Sequence, residues 1–292
     1  MFDTPTLLEI LVLPTVAAVI VAGVLLVLAA KWPAQPILMR LGGLVIAGAY
    51  LAAHATHFPQ PDWTNWQAVD AWQWLLPGVV VVTLIAIVDA VIRRPSVRWL
   101  LRGLAVGALA AISLQSFMQH SWPPHESALW LAGVTLGGTA WWALAERAGT
   151  RSAGNWFALQ WLLLTIGCGA TFVLSGSLRL LEMAMTLGSG IGVAWVLQMI
   201  GRRSLAEGLY AVAPFILLGL WFNAYFYGDA TWWRICMPAL APLAAWIGPQ
   251  STEKSSKPWI IHLCRTAAVI LIVGGTVAAC VMMYEPDPYS GY

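Results

Sequence analysis

"QWLLPGVVVVTLIAIVDAVIRR", Gln73 to Arg94, is an apolar run interrupted only by Pro77, Gly78, Thr83 and Asp89 before it stops at two arginines. Its length matches a helix crossing a hydrocarbon core roughly 30 Å thick, and the arginines belong at a membrane face. The chain around it repeats this composition. Of its 292 residues 60 % are hydrophobic and 10 % charged, with a mean hydropathy of +0.75, whereas soluble domains carry about 25 % charged residues. Such a chain has too little polar surface to cover itself in water.

Apolar blocks of about 17 to 25 residues recur near 7–30, 38–56, 73–92, 99–118, 127–146, 155–175, 177–200, 206–227, 232–248 and 259–283. They predict an all-α polytopic membrane bundle of about ten transmembrane helices, forming a single domain over 1–292. Connections such as "HFPQPDWTNWQAVDAW" and "GPQSTEKSSKPW", about 15 to 20 residues long at most, leave no place for a soluble domain. The N-terminus, "MFDTPTLLEILVLP", lacks a basic n-region, so the first span is expected to stay in the mature protein.

Charge supplies the orientation. Of 15 basic residues, all but Arg179 and Arg234 fall on one set of loops and helix ends: Lys31, Arg40, Arg93, Arg94, Arg98, Arg102, Arg147, Arg151, Arg202, Arg203, Lys254, Lys257 and Arg265. The opposite side holds Asp3, Asp62, Asp70, Glu126, Asp229, Glu285 and Asp287. Positive residues stay cytoplasmic, so both termini are expected outside, in a bacterial cytoplasmic (inner) membrane. A net charge of +2 gives no reason to expect nucleic acid; the bilayer is the partner that charge implies.

At the outer helix starts an acid precedes a tryptophan by one turn: Asp70 with Trp74, Glu126 with Trp130, Asp229 with Trp233. An acid in a first turn meets the positive end of the helix dipole, and tryptophan collects at headgroups, so the pattern reads as anchoring. "HSWPPHESALW", 120–130, admits a second reading. His54, His57, His120, His125 and Glu126 lie on the same predicted side, and imidazole with carboxylate suits zinc or copper. Pro123 and Pro124 fit a sharp turn between antiparallel helices, and hinge and anchor is the preferred reading. Cys168, Cys236, Cys264 and Cys280 form no CxxC pair and are expected as packed thiols.

Ionisable residues inside a bilayer are functional candidates by default. Asp89 is expected to pair with Arg93, four residues on, and Arg102 to snorkel to the inner interface. Arg179 and Glu182 lie one turn apart on the outer half, where Gln115, Asn223 and Arg234 are also expected; these five are the candidate substrate contacts. Pro214, Pro238 and Pro242 remove helix donors, and the last two mark the ninth span as a broken helix of the kind that lines transporter sites. Glycines four apart at Gly103 and Gly107, Gly133 and Gly137, and Gly188 and Gly192 permit close helix contact, within the chain or in a homo-oligomer.

Three functions compete. The leading one is a permease-like transporter of a small solute. The alternatives are a noncatalytic membrane anchor or assembly subunit with a membrane protein partner, suggested by 18 tryptophans and the glycine faces, and a metal- or haem-binding protein using the outer histidines. GxSxG, HExxH, CxxCH and P-loop patterns are absent, so neither an enzyme nor a cofactor is expected. Length and span number are similar to the drug/metabolite transporter superfamily in architecture, although outside termini depart from the arrangement there.

Overall fold

Backbone amides that leave water must find partners within the chain, and a helix satisfies them locally. The computed structural model describes residues 8–32, 41–59, 64, 69–89, 94–152, 154–201, 206–228, 230–248 and 258–283. Among the described residues every regular element is helical and no strand occurs. A π-helical turn, Leu8–Val12, leads into α1 (Leu13–Lys31), followed by α2 (Gly43–Thr56). A 3-10 turn, Ala71–Trp74, opens α3 (Leu75–Asp89); α4 (Pro95–Ser113), the short α5 (Gln115–His120) and α6 (Pro124–Arg151) follow. Then come α7 (Gly154–Leu174), α8 (Leu178–Gly201), α9 (Ala206–Phe226), α10 (Trp232–Ala239), a 3-10 segment Ala241–Trp246, and α11 (Pro258–Met282).

Among the described residues, seven helical stretches are long and apolar enough to cross a membrane: Leu8–Lys31, Ala71–Asp89, Pro95–Ser113, Pro124–Arg151, Asn155–Leu174, Leu178–Ile200 and Pro258–Met282. Gly43–Thr56 and Ala211–Phe226 are apolar but shorter. The predicted fourth block is divided at Leu114 into α4 and α5, and the fifth grows at both ends into α6. Proline starts α4 and α6 where its missing N–H costs nothing, and the turn at Pro123 joins α5 to α6.

The core sits around α9, whose residues 211–220 are all buried, with α7 and α8 beside it. The most apolar windows of α7 and α8 are 61 % buried, against 17 % for α6, which places α6 at the edge. Outward-facing side chains such as Leu136 and Leu271, 71 % and 75 % exposed, form the large apolar surface that lipid tolerates and water does not. Inside the helices, Thr83, Thr139, Thr165, Ser189 and Thr276 each donate to the carbonyl four residues back, so these hydroxyls need no water.

The glycine pairs differ in use. A Cβ on Gly107 would lie 3.3 Å from Thr135 of α6, and one on Gly188 or Gly192 would meet Leu162 of α7 at 3.8 Å. Gly133 and Gly137 have nothing within 4 Å and lie open.

Several sequence expectations are corrected here. Asp89 turns to Arg102, whose Nη2 and Nε donate to its Oδ2 at 2.6 and 3.0 Å; Arg93 lies outside the described residues. Arg102 does not snorkel: its side chain is 4 % exposed and also donates through Nη1 to Glu146 at 2.6 Å. Two carboxylates hold the guanidinium more strongly than an interface could. Pro214 breaks nothing, since α9 runs unbroken from Ala206 to Phe226 around the one bond proline cannot make. The ninth block does divide, α10 ending at Ala239 before the 3-10 segment that contains Pro242. The carbonyl of Ala239 accepts the indole N–H of Trp141 at 2.8 Å, replacing a helical donor. Of the cysteines, Cys168 and Cys280 are packed, whereas Cys236 and Cys264 are exposed.

Candidate functional site

The site forms where α7 turns into α8. Gly176, at φ 81°, takes the left-handed conformation that glycine adopts freely, and Ser177 N–H bonds back to the Phe172 carbonyl at 3.0 Å. This tight reversal places Arg179 in the first turn of α8 and Glu182 one turn deeper. Arg179 Nε lies 3.5 Å from Glu182 Oε2. The guanidinium lies over the rings of Trp72 and Phe58, at 5.0 and 5.6 Å from their centroids, so packing as well as charge sets its orientation.

Glu182 has a second partner. His57, the residue closing α2, places Nε2 3.3 Å from Glu182 Oε2 and Nδ1 3.1 Å from Glu9 Oε2. One imidazole thereby ties the N-terminal turn, α2 and α8 together behind Arg179.

In front of Arg179 lies a cavity of about 440 Å³, lined by Asp70, Trp72, Ser177, Arg179, Asn223 and Tyr227 among others. Each polar wall is held from behind. Asn223 is buried and its Nδ2 donates to the Gly219 carbonyl at 2.8 Å, which leaves Oδ1 for a ligand. At the start of the 3-10 turn the Asp70 N–H donates to Gln73 Oε1 at 3.0 Å. The Tyr227 hydroxyl donates to the Ser113 carbonyl, so its ring forms wall. Ser175, also at the cavity, accepts from Arg234 Nη1 at 3.1 Å and donates to the Thr171 carbonyl at 2.8 Å.

Two other cavities differ in kind. One of about 660 Å³ runs between α1, α7 and α8 past Val19, Leu162, Ile166 and Val196. Another of about 370 Å³ lies against α6, α9 and α10 past Trp130, Gly137, Phe222 and Cys236. Their walls are almost wholly apolar, as in crevices that acyl chains fill.

Of the five candidate contacts, the structure brings Arg179 and Asn223 to one cavity. Glu182 stands behind Arg179, and Arg234 of α10 reaches the wall only through Ser175. Gln115 is half-buried on α5 and is not among the lining residues. The broken ninth segment, expected to border the site, contributes no lining side chain; Pro238 and Pro242 lie elsewhere along it.

Sequence reasoning missed Asp70, Trp72, Ser175, Ser177 and Tyr227, as well as the Glu9 contact. The signal at Asp70 was present, but the acid and tryptophan pattern explained it as an anchor. Asp229, of the same pattern, lies outside the described residues.

The histidine set is not assembled. His54 is buried beside the rings of Tyr50 and Phe58, with centroids at 5.0 and 4.7 Å, whereas His120 and His125 are exposed at the α5–α6 hinge next to Glu126. Among the described residues no group of three or more His, Cys, Asp or Glu side chains could hold a metal ion. Comparison of the chain with protein-family models, curated proteins and solved structures gives no match.

Proposed function

We propose that the chain is a multi-pass membrane protein acting as a permease-like transporter of a small polar solute. The solute binds in the cavity bounded by α8, α9 and the segment leading into α3. One observation carries this reading: a polar cavity containing Arg179 and the buried Asn223 within a bundle whose other large crevices are apolar. Polar groups at membrane depth are costly unless they line a water- or ligand-filled space, and small-ligand sites combine apolar walls with a few fixed polar groups. About ten spans in a bacterial inner membrane, with both termini outside, complete the proposal. Gly43–Thr56, Ala206–Phe226 and α10 with the 3-10 segment after it are the additional crossings, and the one-sided distribution of basic residues supports the orientation.

Uptake into proteoliposomes, screened over labelled small polar solutes, is the test. Arg179→Ala, Glu182→Ala and Asn223→Ala are each expected to lower uptake of the transported solute at least about tenfold, as loss of a buried polar contact does, with folded yield retained. Asp89→Asn is expected to keep uptake per folded molecule. Uptake unaffected by all three variants would contradict the assignment.

A second reading, a noncatalytic membrane subunit, draws on the open face at Gly133 and Gly137, where a partner helix could approach closely. Copurification of a stoichiometric partner, with no uptake of any solute, would favour it.

A further inference from the structure

Resting on the cavity's role as a solute site, we infer that it takes a small zwitterion, a molecule carrying one ammonium and one carboxylate group. Asp70 and Arg179 line the same space yet form no ion pair with each other. Arg179 is held by Glu182 and two aromatic rings, and the Asp70 backbone by the Gln73 side chain. The cavity therefore presents both signs of charge.

The unfilled hydrogen-bond capacity has the same complementarity. Arg179 lines the cavity with a side chain 42 % exposed, and a guanidinium edge is best matched by a carboxylate. The same lining holds acceptors. An aspartate offers about four lone-pair positions, and Asn223 adds Oδ1. An ammonium group brings three donors and no acceptor, so it suits both.

Charge balance excludes the simpler candidates. A plain anion satisfies Arg179 but meets the Asp70 carboxylate; a plain amine does the reverse; a neutral polyol leaves the Asp70 carboxylate without a counterion. Such mismatches are how polar sites reject near-relatives of their ligand. Trp72, Leu180 and Tyr227 form the apolar wall for a short carbon skeleton, and about 440 Å³ falls in the lower part of the range for small-molecule sites.

The test is calorimetric titration of the full chain in lipid nanodiscs with glycine, γ-aminobutyrate, acetate, ethylamine and glycerol. At least one of the two zwitterions is expected to bind about tenfold or more tightly than acetate, ethylamine and glycerol. Arg179→Gln should weaken that binding at least tenfold, and Asp70→Asn should erase the preference over acetate. Glu126→Gln, remote from the cavity lining, serves as the folded control and should bind as wild type does. Circular dichroism and size-exclusion chromatography establish that each variant is folded. Acetate, ethylamine or glycerol binding as tightly as the zwitterions would overturn the zwitterion assignment; loss of that binding in Asn223→Ala would leave the solute site standing. If none of the five binds, the zwitterion assignment again falls, while Asn223-dependent uptake of another solute would preserve the broader reading.

Discussion

Arg102→Leu is expected to lower the unfolding free energy of the bundle by about 3–5 kcal/mol, the cost of breaking a buried charge pair from one side. Arg102 donates to Asp89 through two nitrogens and to Glu146 through a third. Its guanidinium lies against Trp99 and Trp142, with centroids 4.8 and 5.1 Å away. Removing it leaves two carboxylates with Arg98, 3.4 Å from Glu146, as the remaining described ion-pair partner. Arg102→Lys should rescue little, because an ammonium cannot present the planar fork that spans both acids. Adding Asp89→Leu to Arg102→Leu should recover part of the loss, since one stranded charge is then gone. Unfolding in matched detergent reads the effect, and a loss below about 1 kcal/mol for Arg102→Leu, as for a solvated surface pair, would show that the cluster is wet.

Gly219→Leu connects packing to the site. A Cβ at this position would lie 2.0 Å from Leu75 Cδ2 and 3.4 Å from Leu109 Cδ2, and Leu75 is fully buried, so its side chain must shift within the packed core. Overpacking of this kind costs about 1–3 kcal/mol and moves backbone. Leu75 is the first residue of α3, immediately after the turn carrying Trp72, while the Gly219 carbonyl holds Asn223. The expected result is therefore combined destabilisation and loss of solute binding. Gly133→Leu, placed where nothing lies within 4 Å, should change neither. Wild-type stability and binding in Gly219→Leu would mean that α3 and α9 are not in this contact.

The helical architecture was legible because apolar blocks of membrane length admit few alternatives, and the ends of α6 and α11 fell close to polar punctuation. What could not be read is who meets whom. Asp89 has Arg93, outside the described residues, at the right spacing for a local pair, and its described partner, Arg102, comes from the next helix, where tertiary geometry offers a two-pronged donor. Arg179 and Glu182 were legible from their spacing, and Asn223 as a polar residue in an apolar block. Their joining with Asp70 was not, since nothing local in "DAWQW" distinguishes a cavity wall from an interfacial anchor. Both roles use the same acid at the same helix start. Proline misled at Pro214, because the bonds of the surrounding turns hold α9 together around the one it cannot make, whereas Pro238 and Pro242 do coincide with a division.

The most direct test of the cavity as a solute site needs no knowledge of the solute. Asn223→Cys is introduced with Cys168, Cys236, Cys264 and Cys280 replaced by alanine, alongside Lys254→Cys as a marker of the opposite membrane face. Intact cells are treated with a water-soluble, membrane-impermeant thiol reagent. The account predicts that the thiol at 223 is modified from outside and the thiol at 254 only after permeabilisation. A thiol at 223 that stays unmodified from both sides, as expected for a position packed like the fully buried Cys168, would contradict it.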